Sequence, residues 1–526
     1  MGDTFKKYMT CRMPNSFVCN DVTLSELSHV MSLIKLSKSP GPDNFSSYIM
    51  NISKECILEP LVHIFNLSFS TGVFPSDLKS SLVIPLYKKG RMDCMSNYRP
   101  IALSSVFSKL IEKLMFTRLI SFFNKFNILY DFQFGFRKNH STSMALFEVV
   151  EMIIKELDSK NNVMGIFLDL QKAFDTVNVD ILLYKLSCYG VRGHLLDWFN
   201  SFLFNRSICT LVGNSISTSS IVNCGVPQGS VLGPLLFLVY INDIANGSPG
   251  SKIRLFADDA NVFIIDRSIF DLFDKANIVL NDLNLWFISN KLSINIEKTN
   301  YMIFKPSKFI NDTIKFHNLS LSVNNVSIER TFVTKYLGVW IDEMLNWKCH
   351  ISHLVKKNSS FIGIFYKKQS FLPFMCRKNL YYSLIYSNLI YGLELYGNTT
   401  ISVLKPLHVS CNRVLRALQG KTKRSNVNNL YCKFNTLPIG LLFKYSLLLL
   451  VYRCNFVKSS VPKVIHNMFI SNLKFHNYHT RSSLEIHLFH NSRSSLNSYV
   501  FLASTYWNNI QILLSKVITF QVLKLI

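Results

Sequence analysis

The stretch "LFADDANVFI" (255–264) places Asp258 and Asp259 side by side between two apolar arms. Aspartate is a poor strand former, and burying an unpaired charge is costly, so a plain buried strand does not explain the pair. The pattern favours a strand, a tight turn that carries both carboxylates, and a second strand. A divalent cation would neutralise such a pair, and carboxylate oxygens are hard ligands that suit Mg²⁺.

A third carboxylate follows another apolar segment. The segment "NVMGIFLDL" (162–170) is predicted to be a short buried strand that ends at Asp169. If this strand and the hairpin are neighbours in one sheet, Asp169 lies beside the aspartate pair. Two divalent ions about 4 Å apart in such a cluster activate an attacking hydroxyl and stabilise a leaving phosphate oxygen. The sequence therefore predicts phosphoryl transfer on a polynucleotide.

The chain as a whole is basic. Its 526 residues include 57 Lys and Arg against 32 Asp and Glu, a formal net charge of +25. A hydrophobic content of 48% indicates folded domains. The excess of positive charge favours a polyanionic partner, with nucleic acid ahead of an anionic membrane surface. From residue 401 onward, 16 basic residues accompany a single acid, Glu485, which indicates a phosphate-binding tail.

Twelve cysteines without a CxxC pair indicate a reduced, intracellular protein. No run reaches about 18 apolar residues, so no membrane span is predicted. The run "LLFKYSLLLLVY" (441–452) is predicted to be a core helix, because it is short and contains Lys444. Two His-x-x-His pairs within 476–490 have the ligand type for Zn²⁺, but no cysteine is near, and a polar loop or surface helix is favoured.

Hydrophobic periodicity indicates alternating strands and helices in the first two thirds and helices after about residue 350, typical of an α/β or α+β protein. Helices are predicted within 22–39, 98–126 after an initial loop, 132–157 after a basic loop, 231–246, and after the hairpin to about 287. Strands or hairpins are predicted within 81–90, 162–170, 207–230, 252–265 and 334–342.

Three ordered segments, "FLDLQKAFDTV" (167–177), "GVPQGSVLGPLLF" (225–237) and "FADD" (256–259), strongly resemble the core palm motifs of reverse transcriptases. Flanking blocks narrow the resemblance to LINE-type, non-LTR retrotransposons, with the jockey-like group nearest. A single short motif is a weak signal, but nine blocks in order are not. The flanking blocks are "SPGPD" (39–43), "VIPLYKKG" (83–90), "NYRPIAL" (97–103), "QFGFR" (133–137), "NIEKT" (295–299) and "KYLGVWID" (335–342).

The resemblance implies an α+β right-hand polymerase with fingers, an antiparallel-sheet palm and a helical thumb, followed by a basic, mostly helical C-terminal region. The implied divisions are an N-terminal extension (1–30), fingers (31–157), the palm or reverse transcriptase core (158–345), a thumb (346–400) and the C-terminal region (401–526).

The resemblance also assigns roles to the acidic residues. Asp169 and Asp258 would hold two Mg²⁺ ions, with Mn²⁺ as a substitute, and Asp259 would support the site electrostatically as a third candidate ligand. Lys298, in "NIEKT", is a candidate general acid for the leaving pyrophosphate.

Other residues are implied to bind substrate. Phe174 follows Asp169 by five residues, where the family keeps an aromatic ring against the sugar and so selects deoxynucleotides; simple packing is the alternative. Gln228 and Gly229 lie in a turn that approaches the template base or the incoming nucleotide.

Three basic residues in the fingers blocks are candidates for clamping the triphosphate or the template backbone. For Lys88, plain surface charge is an equally good interpretation. The three residues are Lys88, Arg99 and Arg137.

The expected function is RNA-directed DNA polymerase activity that extends a primer 3′-hydroxyl with dNTPs. Expected partners are an RNA template and a DNA primer or target, not a membrane, in the nucleus or a cytoplasmic ribonucleoprotein. An endonuclease is expected on a missing N-terminal part of the element protein. Acids are too few after Glu343 for an RNase H. The alternatives are a group II intron-type maturase, an RNA-dependent RNA polymerase, against which Phe174 argues, and an inactive nucleic-acid-binding remnant.

Overall fold

A computed structural model of the chain describes residues 3–10, 12–38, 40–306, 319–469, 486 and 498–514, with only the backbone given for 511–514. Helices are Leu24–Ser32 (α1), Ser47–Ile52 (α2), Lys54–Thr71 (α3), Val106–Lys125 (α4), Thr142–Asp158 (α5), Val179–Cys188 (α6), His194–Leu203 (α7), Gly233–Ile241 (α8), Ile269–Ser289 (α9), Lys348–Lys368 (α10), Phe374–Leu380 (α11), Ser387–Ile390 (α12), Leu393–Tyr396 (α13), Ile401–Leu418 (α14), Asn428–Phe434 (α15), Ile439–Phe456 (α16), Lys463–His466 (α17) and Tyr499–Leu514 (α18). Strands are Ser80–Tyr87 (β1), Tyr98–Ser104 (β2), Asn162–Leu168 (β3), Arg206–Val212 (β4), Ser215–Ile216 (β5), Ser220–Val222 (β6), Lys252–Phe256 (β7), Asp259–Asp266 (β8), Asn300–Phe304 (β9), Ser322–Val323 (β10), Val326–Ser327 (β11), Glu329–Arg330 (β12), Val333–Tyr336 (β13) and Val339–Asp342 (β14).

The chain forms two compact units that interleave along the sequence. The first comprises residues 1–136, 168–260 and 278–298, and the second comprises 137–167, 261–277 and 299–526. The mixed helix and sheet content confirms an α+β class. The fingers, palm and thumb boundaries stay a prediction.

Helix starts follow local capping chemistry, as the sequence predicts. The hydroxyl of Ser141 accepts a hydrogen bond from the backbone N–H of Met144 at 3.2 Å, at the start of α5. Asn178 does the same for Ile181 at the start of α6, at 3.1 Å. These caps satisfy N–H groups that the first helical turn leaves unpaired.

The first unit contains a sheet in the order β2-β1-β4-β5, with β6 also paired to β4. β1 runs antiparallel to β2 and parallel to β4. The prediction of a loop at the start of 98–126 was wrong, since residues 98–104 form β2. Pro100 is tolerated in β2, because β2 is an edge strand and proline lacks only the N–H that a central strand would need.

The buried core of the first unit includes α8, as predicted. Leu236, Phe237 and Tyr240 are completely buried, and the helix is apolar on every side. A helix that is hydrophobic all round belongs in a core. Its N-terminus lies just after the "GVPQGS" turn, so the core holds that turn in place.

The second unit contains a sheet in which β3 lies between β9 and β8, with β12 next to β9. β3 and β9 are antiparallel, with Gly165 opposite Met302. A Cβ on Gly165 would lie 3.0 Å from the Phe263 ring, so a side chain there would require the ring to shift. β12 runs parallel to β9, so the sheet is mixed, whereas the resemblance implied an antiparallel palm sheet.

Helices follow from residue 348 in the second unit, as predicted. The interpretation of 441–452 as too short for a membrane span was wrong, because α16 covers 18 residues. By length and composition α16 is the one helix among the described residues that is able to cross a membrane, and 44% of it is buried in the protein. Leu447 and Val451 are fully buried, which agrees with the predicted core role. The predicted histidine pairs, His476 with His479 and His487 with His490, lie outside the described residues.

Candidate active site

The aspartate pair lies on a tight turn between β7 and β8, which confirms the predicted strand, turn and strand. Ala257, just before the pair, has a left-handed backbone with φ of +57°. Its N–H donates to Oε1 of Gln133 at 3.0 Å, and the N–H of Gly135 donates to the same oxygen at 2.8 Å. One side-chain oxygen therefore joins the aspartate turn to the "QFGF" segment.

This segment fits the turn closely. The N–H of Phe134 donates to the carbonyl of Leu255 at 2.9 Å, so the segment follows β7 as a short parallel bridge. A Cβ on Gly135 would lie 2.2 Å from the Ala257 nitrogen, so a side chain there would displace the turn. The sequence analysis singled out Arg137 in this block and missed Gln133. A polar residue between two phenylalanines was the available signal.

Asp169 follows β3 directly and is held by the "NIEKT" segment. The backbone N–H of Asn295 donates to the carbonyl of Asp169 at 2.8 Å, and its side-chain Nδ2 donates to Oδ2 at 3.2 Å. The Lys298 ammonium lies 3.6 Å from the same Oδ2. The structure thus brings the predicted general acid next to a predicted metal ligand, and it adds Asn295, which the sequence analysis did not identify.

Asp258 and Asp169 lie close enough to Asp259 to affect its carboxyl group. Loss of solvation, then the charge of Asp258, then that of Asp169 raise the pKa of Asp259 to about 6, although the residue is exposed. The Lys88 ammonium acts in the opposite direction on that pKa. The site therefore carries net negative charge that the nearby lysines do not cancel.

These side chains suit a divalent cation by charge and by donor type. Among the described residues, no three acidic, histidine or cysteine side chains are gathered tightly enough to hold a metal ion by themselves. A cation bound by Asp169 and Asp258 would therefore need further oxygen ligands, such as substrate phosphates or water. Reverse transcriptases as a family use divalent metal ions.

Phe174 lies between two other aromatic rings. Its ring stacks on Phe237 with centroids 4.6 Å apart, and the Phe136 ring meets it edge-on at 6.1 Å. Phe237 is fully buried, so it gives the half-buried Phe174 ring a rigid support. Phe136 directly follows Gly135, and this connects the Phe174 ring to the carboxylate turn.

The turn of Gly225 to Gly229 packs against β2. The backbone N–H of Ala102 donates to the carbonyl of Gln228 at 2.7 Å. Gly229 has φ of +118°, and a Cβ there would lie 2.4 Å from the Ala102 carbonyl oxygen. Gly225 also has a positive φ, of +70°, so backbone geometry requires glycine at both ends of the turn. The exposed Arg99 lies on the same strand, three residues before Ala102.

A buried carboxylate supports the far end of this turn. Oε2 of Glu112, on α4, accepts hydrogen bonds from the N–H groups of Val231 at 2.8 Å and Leu232 at 3.1 Å. Ser108 donates to its other oxygen at 3.0 Å. Burial raises the pKa of Glu112, and the three donors lower it. The sequence analysis missed this residue, because the two N–H groups of the turn that it binds lie more than 100 positions away.

The three basic residues predicted to bind substrate, Lys88, Arg99 and Arg137, differ in their location and exposure. Lys88 is close enough to Asp259 to lower the pKa of its carboxyl group, and its role at the site stays a prediction. Arg99 is exposed on β2. Arg137 is the first residue of the second unit, where its side chain is half-buried.

Sequence comparison identifies a known domain within the chain. The family described as "Reverse transcriptase (RNA-dependent DNA polymerase)" matches residues 86–341, a range that contains all three carboxylates and the glycine turn. This chain contains a reverse transcriptase domain. The carboxylate turn and the Gly225–Gly229 turn both lie within that domain.

Relatives of this reverse transcriptase domain confirm the non-LTR resemblance. The "RNA-directed DNA polymerase from mobile element jockey" of Drosophila melanogaster is 28% identical over 427 residues, 79% of this chain and 46% of that protein. The "Probable RNA-directed DNA polymerase from transposon BS" of the same species is 26% identical, over 76% of this chain and 44% of that protein. The chain spans just under half the length of these curated relatives.

Proposed function

We propose that the chain is an RNA-directed DNA polymerase of a LINE-type, non-LTR retrotransposon. It extends a primer 3′-hydroxyl with dNTPs along an RNA template. The observation that carries the proposal is the effect of the Asp258 and Asp169 charges on Asp259, at a turn that the buried Gln133 side chain holds. Such a cluster is costly without a cation and useful with one.

The proposed fold is a right hand, with fingers (31–157), palm (158–345) and thumb (346–400), and a basic C-terminal region (401–526) that binds nucleic acid. The helices after residue 348 support the thumb assignment. The single acid in the last 126 residues supports nucleic-acid binding by the C-terminal region.

The three carboxylates provide the metal-binding part of the mechanism. Asp169 and Asp258 hold two Mg²⁺ ions, or Mn²⁺, and Asp259 adds negative charge beside them. When bound, the ions activate the primer hydroxyl and stabilise the leaving pyrophosphate. Asn295 orients Asp169, since it binds both the backbone carbonyl and the carboxylate of that residue.

Lys298 supplies the proton. Its ammonium lies 3.6 Å from Asp169, on the side where the triphosphate binds in this proposal. A cation at this position attracts the leaving pyrophosphate and protonates it as the bond to the α-phosphate breaks. Lys88, Arg99 and Arg137 bind the triphosphate or the template backbone through charge-assisted hydrogen bonds.

Phe174 selects the sugar. Its ring packs against Phe237 and Phe136, and these contacts restrict its movement away from a larger substrate. A rigid ring against the sugar excludes a 2′-hydroxyl and admits deoxynucleotides. Gln228 and Gly229, on the neighbouring turn, contact the incoming nucleotide or the template base.

A primer-extension assay tests the proposal. The purified chain is given an RNA template, a DNA primer, dNTPs and Mg²⁺, alongside Asp258→Ala and the control Asp180→Ala, which removes an exposed acid from the first turn of α6. We expect synthesis by the parent and by the control, and none by Asp258→Ala. RNA binding by the parent without any synthesis would contradict the proposal and support the inactive remnant.

The same purified protein distinguishes the proposed enzyme from a group II intron-type maturase. A maturase would prefer a structured intron RNA over an unstructured template of equal length, whereas the proposed enzyme extends primers on both.

We also propose an intracellular location, in the nucleus or a cytoplasmic ribonucleoprotein, because the net charge of +25 suits a nucleic-acid partner. Imaging a tagged chain checks this.

A further inference from the structure

The segment that carries Phe174 is tied to the Gly225–Gly229 turn at three points within the first unit. The N–H of Val226 donates to the Phe174 carbonyl at 2.8 Å, and the N–H of Gly225 donates to the Val177 carbonyl at 2.8 Å. The third link is Nε2 of Gln228, which donates to Oδ1 of Asp175 at 3.0 Å. Only this third link is made by side chains, so it depends on residue identity.

The backbone on both sides of this link is fixed without it. Gly225 has φ of +70°, and a Cβ there would lie 2.7 Å from the Asp175 carbonyl oxygen. The buried guanidinium of Arg206 donates to the carbonyls of Cys224 at 2.6 Å and Gly225 at 2.7 Å. What Asp175 adds is therefore control of the Gln228 side chain, not of the turn.

The contact with Asp175 determines which end of the Gln228 amide faces a substrate. An amide has an N–H₂ donor end and a carbonyl acceptor end. Asp175 is half-buried and accepts from the donor end of Gln228. The carbonyl oxygen is then the end that the side chain offers to a substrate, and it suits a hydroxyl or amino donor of a nucleotide.

Building on the proposed polymerase function, we propose that Asp175 is a positioning residue that orients the Gln228 amide toward the incoming nucleotide. Asp175 does not itself touch the substrate. Without it, the Gln228 amide rotates freely and presents either end, so nucleotide binding weakens while the chemical step continues.

The test is a double-mutant cycle in primer extension, with KM for a dNTP and kcat measured separately. Asp175→Ala and Gln228→Ala are each expected to raise KM about five- to tenfold, with kcat within about twofold. The double variant is expected to be no worse than either single one, because both changes remove the same interaction. Asp175→Asn is expected to keep KM within about twofold, because its amide oxygen still accepts from Gln228.

The matched control is Asp180→Ala, five residues further along the chain. If Asp175→Ala does not fold, Gln228→Glu replaces it in the test. This variant places a second carboxylate against Asp175 and is expected to raise KM. Adding Asp175→Asn is expected to lower KM again, because the asparagine amide donates to the glutamate. A KM for Asp175→Ala equal to that of the control, or effects of the two alanines that add, would overturn this inference and leave the polymerase function standing. A parent chain that extends no primer overturns both.

Discussion

Two groups of acidic side chains in the first unit differ in how their charge is balanced. Asp243 is 2% exposed and lies 2.5 Å from the Lys185 ammonium, which is fully buried and also donates to the Tyr240 carbonyl at 2.6 Å. Asp169 is 41% exposed, and the Lys298 ammonium is 3.6 Å away. Its neighbours Asp258 and Asp259 add like charge, and the pKa of Asp259 rises to about 6.

The difference separates a structural ion pair from a binding site. The buried pair balances its charge without any ligand, through the contact between the Lys185 ammonium and Asp243, so it belongs to the folded core. The exposed cluster is incomplete, so like-charge repulsion lowers stability until a cation arrives. Residues at functional sites commonly lower the free energy of unfolding in this way. Four substitutions test this contrast.

The largest effect is expected for Asp169→Asn. Removing one ligand charge from the cluster lowers primer extension by at least about a thousandfold, because metal binding contributes several kcal/mol to the transition state. The midpoint of thermal unfolding stays the same or rises, because repulsion is relieved. Single-turnover primer extension and calorimetry measure the two effects. A large loss of stability would place Asp169 with the structural pair instead.

The next largest effect is expected for Lys185→Met. It leaves Asp243 charged and unpaired in the core and lowers the free energy of unfolding by about 3 kcal/mol. The activity of the folded fraction is unchanged, because the pair is not part of the site. Urea unfolding compares it with Lys125→Met, which removes an exposed lysine at the end of α4. Equal stability of the two variants would contradict the structural role.

A smaller effect is expected for Gln133→Ala. Two buried N–H groups, on Ala257 and Gly135, lose their common acceptor, at a cost of about 2 kcal/mol in stability. Because one of these groups holds the carboxylate turn, kcat falls as well. The control is Gln171→Ala, which removes an exposed side chain. A loss of stability with normal kcat would show that the turn keeps its shape without Gln133.

The smallest effect is expected for Asp259→Asn, and it depends on pH. In the folded protein the Asp259 carboxyl keeps its proton up to a pKa of about 6, whereas the unfolded chain loses it near pH 4. As pH rises through this window, the metal-free parent becomes less stable relative to Asp259→Asn. Above about pH 7 the difference reaches a plateau of about 1 kcal/mol, since solvent screens this exposed group.

Thermal unfolding of both proteins in a chelator, from pH 4 to 8, measures this difference. A difference that does not change with pH would mean that Asp259 is not coupled to the other carboxylates. Adding Mg²⁺ at pH 7.5 is expected to stabilise the parent more than Asp169→Asn, because only the parent keeps the full set of oxygen ligands.

The elements of the site were predictable where their cause is local. Asp258 and Asp259 interrupt a run of apolar residues, and this pattern predicts the strand, turn and strand that the structure contains. Asp169 ends an apolar strand for the same reason. The cap at Ser141 lies within three residues of the N–H that it binds. In each case neighbours in the sequence are also neighbours in space.

The supporting residues were not predictable in that way. Gln133 lies 124 positions from Ala257, and Glu112 lies 119 positions from Val231. Residues 98–104 form a strand only because β1 provides an antiparallel partner.

By itself, the sequence determined the domain, the acidic residues and the Gly225–Gly229 turn, because these depend on residue type and on short spacings. The tertiary structure decided which buried side chains hold those turns and how the carboxylates share their charge. Both depend on distances between segments that are far apart along the chain, and such distances exist only once the chain has folded.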